Sequence, residues 1–347
     1  MTHFSSWRSP SNIALIKYWG KHGIQLPNNP SLSFTLSACH TDMTMHVTPG
    51  SSKPQLNVLY DGSERPSFEP KIKSFFNRIA DQLPWLLQSS IVIDSVNTFP
   101  HGAGIASSAS SMSAMALCLM DIDSQVNARP HELKNASWWN TVSELARLGS
   151  GSACRSVFPV AALWGELSGI SGSSNSYATP WADHVSSIFH DYQDTILIVS
   201  HAEKSVSSTE GHELMSGHAY EQSRYTEAQK NILILIESMK KENSIDQFIS
   251  VCESEALQLH ALMMSGQKPF ILIEPGTVSI IKEVWRFRNE TNIPVCFTLD
   301  AGPNVHLLYP ASYKESVLGW IKTNLLRYCT DGLFIVDEVG SGPQKIL

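Results

Sequence analysis

Apolar and polar residues alternate in short bursts near the start of the chain, a spacing typical of β-strands. Segments 12–19 (NIALIKYW) and 31–47 (SLSFTLSACHTDMTMHV) carry the pattern, and the turn-like GIQLPNNP lies between them. Apolar residues then recur at helical spacing in 71–87 (KIKSFFNRIADQLPWLL), and 89–99 (SSIVIDSVNTF) has the composition of a strand. The amino-terminal part is therefore predicted to be rich in β-structure.

Later segments mix both periodicities. An amphipathic helix is predicted to contain 143–156, a strand to cover 194–201, and helices to lie near 221–241 and 244–264. A final pair of strand-like segments, 294–309 and 332–339, brackets one more helix. The pattern predicts an α+β protein with a division near residue 190, giving domains 1–190 and 191–347.

A turn of very small residues follows the strand at 89–99. Residues 99–116 read FPHGAGIASSASSMSAMA and lead into a helical run. The N-terminus of a helix presents unpaired N–H groups and the positive end of the helix dipole, so this turn suits a phosphate group. Ser107 and Ser108 add hydroxyls for phosphate or Mg²⁺. Close helix packing by small residues is the alternative explanation.

Three further segments carry candidate chemistry. Arg155 ends a stretch rich in Gly and Ser, LGSGSACRS, and either holds an anion with its planar fork or lies on the surface. Asp300 follows an apolar strand in TLDAGPNVHLL and is either a general base or the cap of a turn. Lys17, on an apolar strand, either faces an anion or protects an exposed sheet edge. Strict alternation sets Asn12 on the strand face opposite Lys17.

Composition excludes several classes of function. The 347-residue chain has a net charge of −7 and no long run of Lys and Arg, which argues against a nucleic-acid partner. The sequence shows no signal peptide and no apolar stretch of membrane-spanning length, so we expect a cytoplasmic protein without membrane association. The six cysteines form no C-x-x-C pair, which indicates reduced, mostly buried thiols.

Taken together, these segments resemble a known family. NIALIKYWGKHG, FPHGAGIASSAS, GSGSACRS, VSSTEG, LQLHALMM and FTLDAGPN stand in the order and spacing of mevalonate diphosphate decarboxylases, a branch of the GHMP kinase superfamily. The resemblance extends from about Ser9 to Tyr309. It implies a two-lobed GHMP kinase fold with an ATP-binding amino-terminal domain, a ferredoxin-like carboxyl-terminal half and an active site in the cleft. Enzymes of this family are commonly homodimers.

The resemblance also implies the reaction, the cofactors ATP and Mg²⁺, and residue roles. The family phosphorylates the 3-hydroxyl of mevalonate 5-diphosphate and releases phosphate and CO₂ to give isopentenyl diphosphate. Asp300 would act on the hydroxyl, Arg155 would hold the carboxylate, Asn12 would fix that arginine and Lys17 would offset charge. The substrate-binding residues implied are Tyr18, Trp19, Lys21, Ser150, Gly151, Ser152 and Ser208. The implied ATP-binding residues are Asn97, Gly102, Ala103, Gly104, Ala106, Ser107 and Ser108, with Ser107 or Ser108 on the metal.

The sequence departs from the family pattern at three places. His101 stands where a small hydroxyl residue is usual, SVFPVAALWGE follows Arg155 in place of a Gly-Gly pair and an aromatic residue, and His212 replaces a typical methionine. These departures leave open a decarboxylase or kinase acting on mevalonate 5-phosphate or another phosphorylated mevalonate. A non-catalytic binding module is disfavoured because Asp300, Arg155 and Lys17 are all present.

Overall fold

The computed structural model describes residues 1–100, 105–128, 135–202, 206 and 208–347, apart from the side chains of residues 208, 209 and 242. Its longer helices are α1 (Glu69–Ile79), α2 (Ser107–Val126), α3 (Ala136–Gly149), α4 (Ser208–Glu213), α5 (Glu221–Met239), α6 (Ile245–Ser265), α7 (Pro275–Thr291) and α8 (Lys314–Trp320). Its strands are β1 (His3–Ile16), β2 (Lys21–His22), β3 (Leu26–Pro27), β4 (Ser31–Thr48), β5 (Leu56–Tyr60), β6 (Ser63–Glu64), β7 (Ser90–Asn97), β8 (Ala161–Trp164), β9 (Ala178–Pro180), β10 (Gln193–Leu197), β11 (Cys296–Leu299), β12 (Val305–Tyr309), β13 (Phe334–Glu338) and β14 (Gln344–Lys345).

The larger sheet is built on the long antiparallel pair β1 and β4. Its strand order is β14-β1-β4-β7-β5-β6, with β8 and β9 joined to the other end of β4, and β5 runs parallel to β7. Alternate residues of these strands, such as Met43, Met45, Ile91 and Ile93, are buried with apolar residues of α1, α2 and α3. The period-2 pattern of the sequence therefore marks the face that the helices cover.

The smaller sheet has the antiparallel order β11-β12-β10-β13. A buried aromatic cluster joins it to the larger sheet: the ring of Phe34 on β4 lies 6.1, 5.9 and 6.1 Å from the rings of Phe189, Tyr192 and Phe248. These residues belong to one apolar core that includes side chains from β1, β4, α5 and α6. The division near residue 190 stays a prediction, since residues on both sides of it pack in this core.

The α+β prediction is confirmed, as are most of the segments that supported it. The prediction lacked β5, β8 and α7, and it carried the third helix through 143–156, whereas α3 ends at Gly149 and a 3₁₀ helix covers Gly151–Val157. Strand β8 is only four fully buried residues, too short to show alternation. Helix α7 does begin with readable signals, Pro275 at its first position and a Glu274–Thr277 capping box.

Two further expectations concern the thiols and the membrane. All six cysteines are buried and unpaired, in line with reduced thiols. Over the described ranges, the helices fall short of the length and apolar character needed to cross a bilayer.

A buried carboxylate ties β13 to β4. Asp337, which is 2% exposed, accepts hydrogen bonds from the backbone N–H groups of Ser37, Ala38 and Cys39 at 2.9, 2.6 and 2.8 Å. Its Oδ1 also accepts the N–H of Glu338 at 2.8 Å. The pairing of β4 with β1 skips these three residues at a register shift, so Asp337 supplies the acceptors that the ladder does not.

We expect Asp337→Ala to lower the free energy of unfolding by about 3 kcal/mol, because it removes the acceptor of the buried N–H of Cys39 and of three part-buried N–H groups. Urea denaturation followed by circular dichroism measures the change. Asp81→Ala, at an exposed loop position, is the matched control and should change the free energy by less than about 0.5 kcal/mol. A loss for Asp337→Ala no greater than that of the control would contradict this role.

Candidate active site

A cavity of about 640 Å³ is lined by strands of the larger sheet, the start of α2, the 3₁₀ helix at Gly151–Val157 and the loop that follows β11. It collects most of the residues predicted from the sequence: Asn12, Lys17, Tyr18, Trp19, Lys21, Asn97, Ala106, Ser107, Ser108, Ser150, Gly151, Ser152, Arg155 and Asp300. Gly102, Ala103, Gly104 and His101 lie outside the described residues, as does the side chain of Ser208. The cavity thus brings together residues that are up to nearly three hundred positions apart in the sequence.

The end of β1 delivers three residues to this cavity. Asn12, Ala14 and Lys17 all line it, although strict alternation sets Asn12 and Lys17 on opposite faces. The register of β1 against β4 shifts between Ala14 and Ile16, and the strand ends at Ile16. Such an irregularity reverses the alternation, so the sequence expectation of opposite faces is wrong.

Lys17 is 1% exposed, so the edge-protecting interpretation of this lysine is also wrong. A buried ion pair holds its peptide groups: Glu255 Oε2 accepts the N–H of Lys17 at 2.9 Å, and Arg224 Nη2 donates to its C=O at 2.9 Å. Arg224 and Glu255 form two hydrogen bonds with each other, at 2.8 and 2.7 Å, and Asn231 donates to Glu255 at 2.8 Å. The backbone of Lys17 is therefore fixed by helices α5 and α6.

Burial disfavours the charged form of Lys17 and lowers its pKa to about 8, while the nearby charge of Asp300 acts in the opposite direction. Its ammonium group donates to the carbonyl of Ala14. Burial by itself would raise the pKa of Glu255, but the charge and hydrogen bonds of Arg224, together with the bonds from Asn231 and the Lys17 N–H, hold that pKa below the usual value. The charged carboxylate of Glu255 therefore lies on the backbone side of Lys17, and Asp300 lies on the cavity side.

Arg155 is 2% exposed, so it is not a surface arginine. Its Nε and Nη2 donate to Asn12 Oδ1 at 3.4 and 3.3 Å, Nε also lies 3.1 Å from Ser33 Oγ, and Nη1 donates to Ser31. Asn12 is oriented in turn, since its Nδ2 donates to Ser156 Oγ at 2.8 Å. Of the five donors of a guanidinium, these contacts leave one N–H on each terminal nitrogen, which suits a carboxylate.

Asp300 follows β11 and lines the same cavity. The N–H of Gly302 donates to the carbonyl of Asp300 at 2.7 Å, and His260 Nε2 lies 3.1 Å from that carbonyl oxygen. The backbone of the turn is therefore held by hydrogen bonds. The carboxylate acts electrostatically on both Lys17 and Arg155. The sequence left open whether Asp300 acts as a general base or caps a turn. In the structure it belongs to a hydrogen-bonded turn and also lines the cavity.

Small residues allow the aromatic wall of the cavity to approach the backbone. A Cβ on Gly151 would stand 2.8 Å from Tyr18 Oη, and one on Gly211 would stand 2.4 Å from Trp19. Tyr18 Oη is buried without a hydrogen-bond partner among the described residues, and burial raises its pKa well above the usual value. The neutral hydroxyl of Tyr18 can therefore form a hydrogen bond with a ligand in the cavity.

The start of α2 forms the other end of the cavity. Its N-cap, Ala106, has the left-handed conformation with φ 44°, and no side chain caps the helix. Ser108 Oγ lies 3.2 Å from Ser150 Oγ, which joins this end to the substrate-binding segment. The lining also contains the apolar and aromatic side chains of Met43, Tyr60, Phe68, Ile93 and Met115, with Lys71 among them. Uncapped N–H groups beside hydroxyls and an apolar recess fit a nucleotide.

The start of α2 can hold a metal ion only together with a bound ligand that supplies further metal-coordinating atoms. The part of the chain that the structure describes has no cluster of three His, Cys, Asp or Glu side chains that would hold a metal by itself. The hydroxyls of Ser107 and Ser108 are oxygen donors of the type that Mg²⁺ uses together with phosphate oxygens. These residues are therefore compatible with a magnesium nucleotide.

Arg224 and Glu255, which hold the backbone of Lys17, were not predicted from the sequence, and neither were several residues at the nucleotide end of the cavity. Glu255 lies on the buried face of α6 together with Val251, Cys252 and Leu259. A carboxylate on an apolar helix face is a sign of a buried ion pair, and that sign was present in the sequence. Tyr60 gave no such signal, because only the pairing of β5 with β7 brings it to the cavity. Phe68 and Lys71, at the start of α1, reach the cavity through packing that no local pattern encodes.

Comparisons with known proteins cover nearly the whole chain. Residues 9–178 match the family model described as "Diphosphomevalonate decarboxylase-like N-terminal domain". Residues 195–345 match "Mevalonate 5-diphosphate decarboxylase C-terminal domain". This chain belongs to the mevalonate diphosphate decarboxylase family. The resemblance noted from the sequence motifs is confirmed, and so is the two-lobed GHMP kinase fold.

Individual members of the mevalonate diphosphate decarboxylase family match this chain over nearly their full length. The chain is 29% identical to the diphosphomevalonate decarboxylase of Candida albicans, covering 98% of this chain and 97% of the relative. The crystal structure of mevalonate diphosphate decarboxylase from Staphylococcus aureus superimposes with a TM-score of 0.85 at 25% identity, over 100% of this chain and 99% of that one. A third structure, of a protein abbreviated MDDEF, is described as in complex with MVAPP, AMPPCP and magnesium; its TM-score is 0.82 at 26% identity, over 100% and 99% of the chains.

We expect Arg155→Lys to lower kcat/KM by at least about 100-fold, because a lysine keeps the charge but cannot bridge Asn12, Ser31 and a bound carboxylate at once. Steady-state ADP release measures the change. Arg286→Lys is the matched control, since that arginine is 56% exposed on α7, and it should stay within about twofold. Activity of Arg155→Lys within a few fold of the unsubstituted protein would rule out the carboxylate clamp.

Proposed function

We propose that the protein catalyses the ATP-dependent decarboxylation of mevalonate 5-diphosphate to isopentenyl diphosphate, releasing ADP, phosphate and CO₂. The carrying observation is that Asp300, Arg155 and Lys17 line one cavity with the uncapped start of α2. Family membership and the complex described for MDDEF support the same substrate, with ATP and Mg²⁺ as cofactors.

The first half of the reaction transfers a phosphoryl group. The tertiary 3-hydroxyl is a weak nucleophile, so the site must hold it beside the γ-phosphate of ATP and accept its proton. In this proposal Asp300 takes that proton as the oxygen forms its bond to phosphorus, and ADP leaves. Lys17, held in place by Arg224 and Glu255, offsets the charge that develops. Mg²⁺, when bound with ATP, neutralises part of the phosphate charge.

The second half breaks two bonds of the phosphorylated substrate. The bond between the carboxyl carbon and C2 breaks, its electron pair forms the new double bond, and the 3-phosphate leaves with the C–O electron pair. The free N–H groups of Arg155 hold the carboxylate in the orientation this step requires. A simple kinase would have no use for that arrangement, so Arg155 favours a decarboxylase.

The remaining residues divide between the two substrates. Tyr18, Trp19 and Lys21, with Ser150, Gly151, Ser152 and Ser208, are proposed to bind the phosphate tail of the mevalonate. Asn97 is proposed to lie near the adenine. The segment Gly102, Ala103, Gly104, Ala106, Ser107 and Ser108 is proposed to bind the ATP phosphates, and Ser107 or Ser108 the magnesium ion.

We also propose that the protein acts in the cytoplasm as a homodimer. The six unpaired buried cysteines support a reducing compartment, and the homodimer rests on the family resemblance alone. The substrate is a small molecule, and the net charge of −7 gives no support for a nucleic-acid partner.

The decisive assay compares mevalonate 5-diphosphate, mevalonate 5-phosphate and mevalonate at equal concentrations with ATP and Mg²⁺. We expect ADP and CO₂ in equal amounts, with the diphosphate as the preferred substrate. Preference for the monophosphate would establish the alternative decarboxylase. Release of ADP without CO₂ would make the protein a kinase.

We expect Asp300→Asn to lower kcat by about 1,000-fold or more while ATP affinity changes by no more than a few fold, because the substitution removes the base and leaves the start of α2 intact. Single-turnover kinetics and nucleotide titration measure the two quantities. Asp183→Asn, at an exposed position, is the matched control. Parallel collapse of ATP affinity and turnover would contradict the assigned role.

A further inference from the structure

His212 is a cavity residue for which the proposed reaction has no role. It belongs to α4, it is 9% exposed, and its ring lines the cavity between two aromatic side chains. The ring centroid lies 4.2 Å from that of Tyr18 and 4.8 Å from that of Trp19. The orientation of the imidazole is therefore fixed by contacts on both sides.

The backbone determines which ring nitrogen carries the proton. The N–H of Gly20 donates to Nδ1 of His212 at 3.0 Å, and a backbone N–H acts only as a donor. Nδ1 is therefore unprotonated, and the proton of the neutral ring resides on Nε2. Nε2 has no hydrogen-bond partner among the residues that the structure describes, so its N–H is available to a ligand in the cavity.

The ring is neutral at physiological pH. Burial disfavours its charged form, Lys21 and Arg155 repel a second proton, and Asp300 only partly compensates, so the pKa of His212 falls to about 3. The imidazole thus lies against Tyr18, which is proposed to bind the phosphate tail, and it feels the charges of Lys21, Arg155 and Asp300. It supplies a donor at this position without adding another buried positive charge.

We propose that Nε2–H of His212 donates a hydrogen bond to the phosphate group attached to C5 of the substrate, and that His212 is a binding residue for that phosphate. The inference rests on the proposed function, because it assumes a phosphorylated mevalonate between Lys21 and Asp300. An anionic oxygen is the acceptor that best uses a buried N–H donor in a cavity rich in positive charge. The C5-linked phosphate is common to the monophosphate and the diphosphate and absent from mevalonate.

The test replaces His212 by Met and by Gln. Methionine has no donor, whereas glutamine offers an oxygen that can accept from Gly20 and an N–H₂ that can donate to the ligand. We expect His212→Met to raise KM for both mevalonate 5-phosphate and mevalonate 5-diphosphate by about tenfold or more, with kcat changed by less than about threefold. His212→Gln should restore KM to within about threefold of the unsubstituted protein.

Unphosphorylated mevalonate distinguishes two effects of the substitution, namely loss of a contact to the phosphate and a general loosening of the cavity. Binding of mevalonate, measured by calorimetry in the absence of ATP, should be unchanged by His212→Met. Equal weakening for mevalonate and its phosphates would mean that His212 only supports the aromatic wall, and KM values for the phosphates within twofold would overturn the inference directly. His190→Met, at an exposed position, is the matched control.

A second measurement covers the case in which the methionine variant does not fold. In the unsubstituted protein labelled with ¹⁵N-histidine, addition of mevalonate 5-phosphate should shift the Nε2–H signal of His212, whereas mevalonate should leave it unchanged. Absence of a shift with a saturating phosphate ligand would overturn the inference. If the unsubstituted protein neither binds nor converts any phosphorylated mevalonate, the proposed function fails instead.

Discussion

The buried ion pair between Arg224 and Glu255 is the interaction on which the site depends. Glu255 accepts the N–H of Lys17, and Arg224 donates to its C=O. Two helices of the carboxyl-terminal half therefore set the position of a residue that follows the first strand. A buried pair of this kind gives little net stability, because desolvation offsets much of the Coulomb attraction. Its value here is geometric, since Lys17 is the point at which the chain leaves β1 and enters the cavity.

The charges of the cavity are arranged for an anion. Four cations line the cavity, namely Lys17, Lys21, Lys71 and Arg155, and Asp300 is the carboxylate in its described lining. Burial acts against the charged form of each of these cations. A substrate that carries both a carboxylate and phosphates completes this arrangement. The neutral His212 fits the same logic, because it donates a hydrogen bond where a further cation would be costly to bury.

The sequence allowed the class of fold and most of the site to be predicted, because each depends on local pattern. Arg155, Asp300 and the small residues before α2 stand in short segments whose chemistry is readable. The position of Lys17 was not predictable in the same way, since a register shift in β1 depends on its pairing with β4. Tyr60 reaches the cavity only through the pairing of β5 with β7, which no local pattern encodes.

The aromatic cluster around Phe34 has a consequence for chimaeric proteins. Phe34 comes from the first tenth of the chain, and its partners Tyr192 and Phe248 come from beyond residue 190. A change of shape at any one of these rings must be accommodated by the others, so the effects of substitutions at these positions on stability are expected to be non-additive. Transplanting residues on one side of this core from a distant relative would therefore also require the matching rings on the other side.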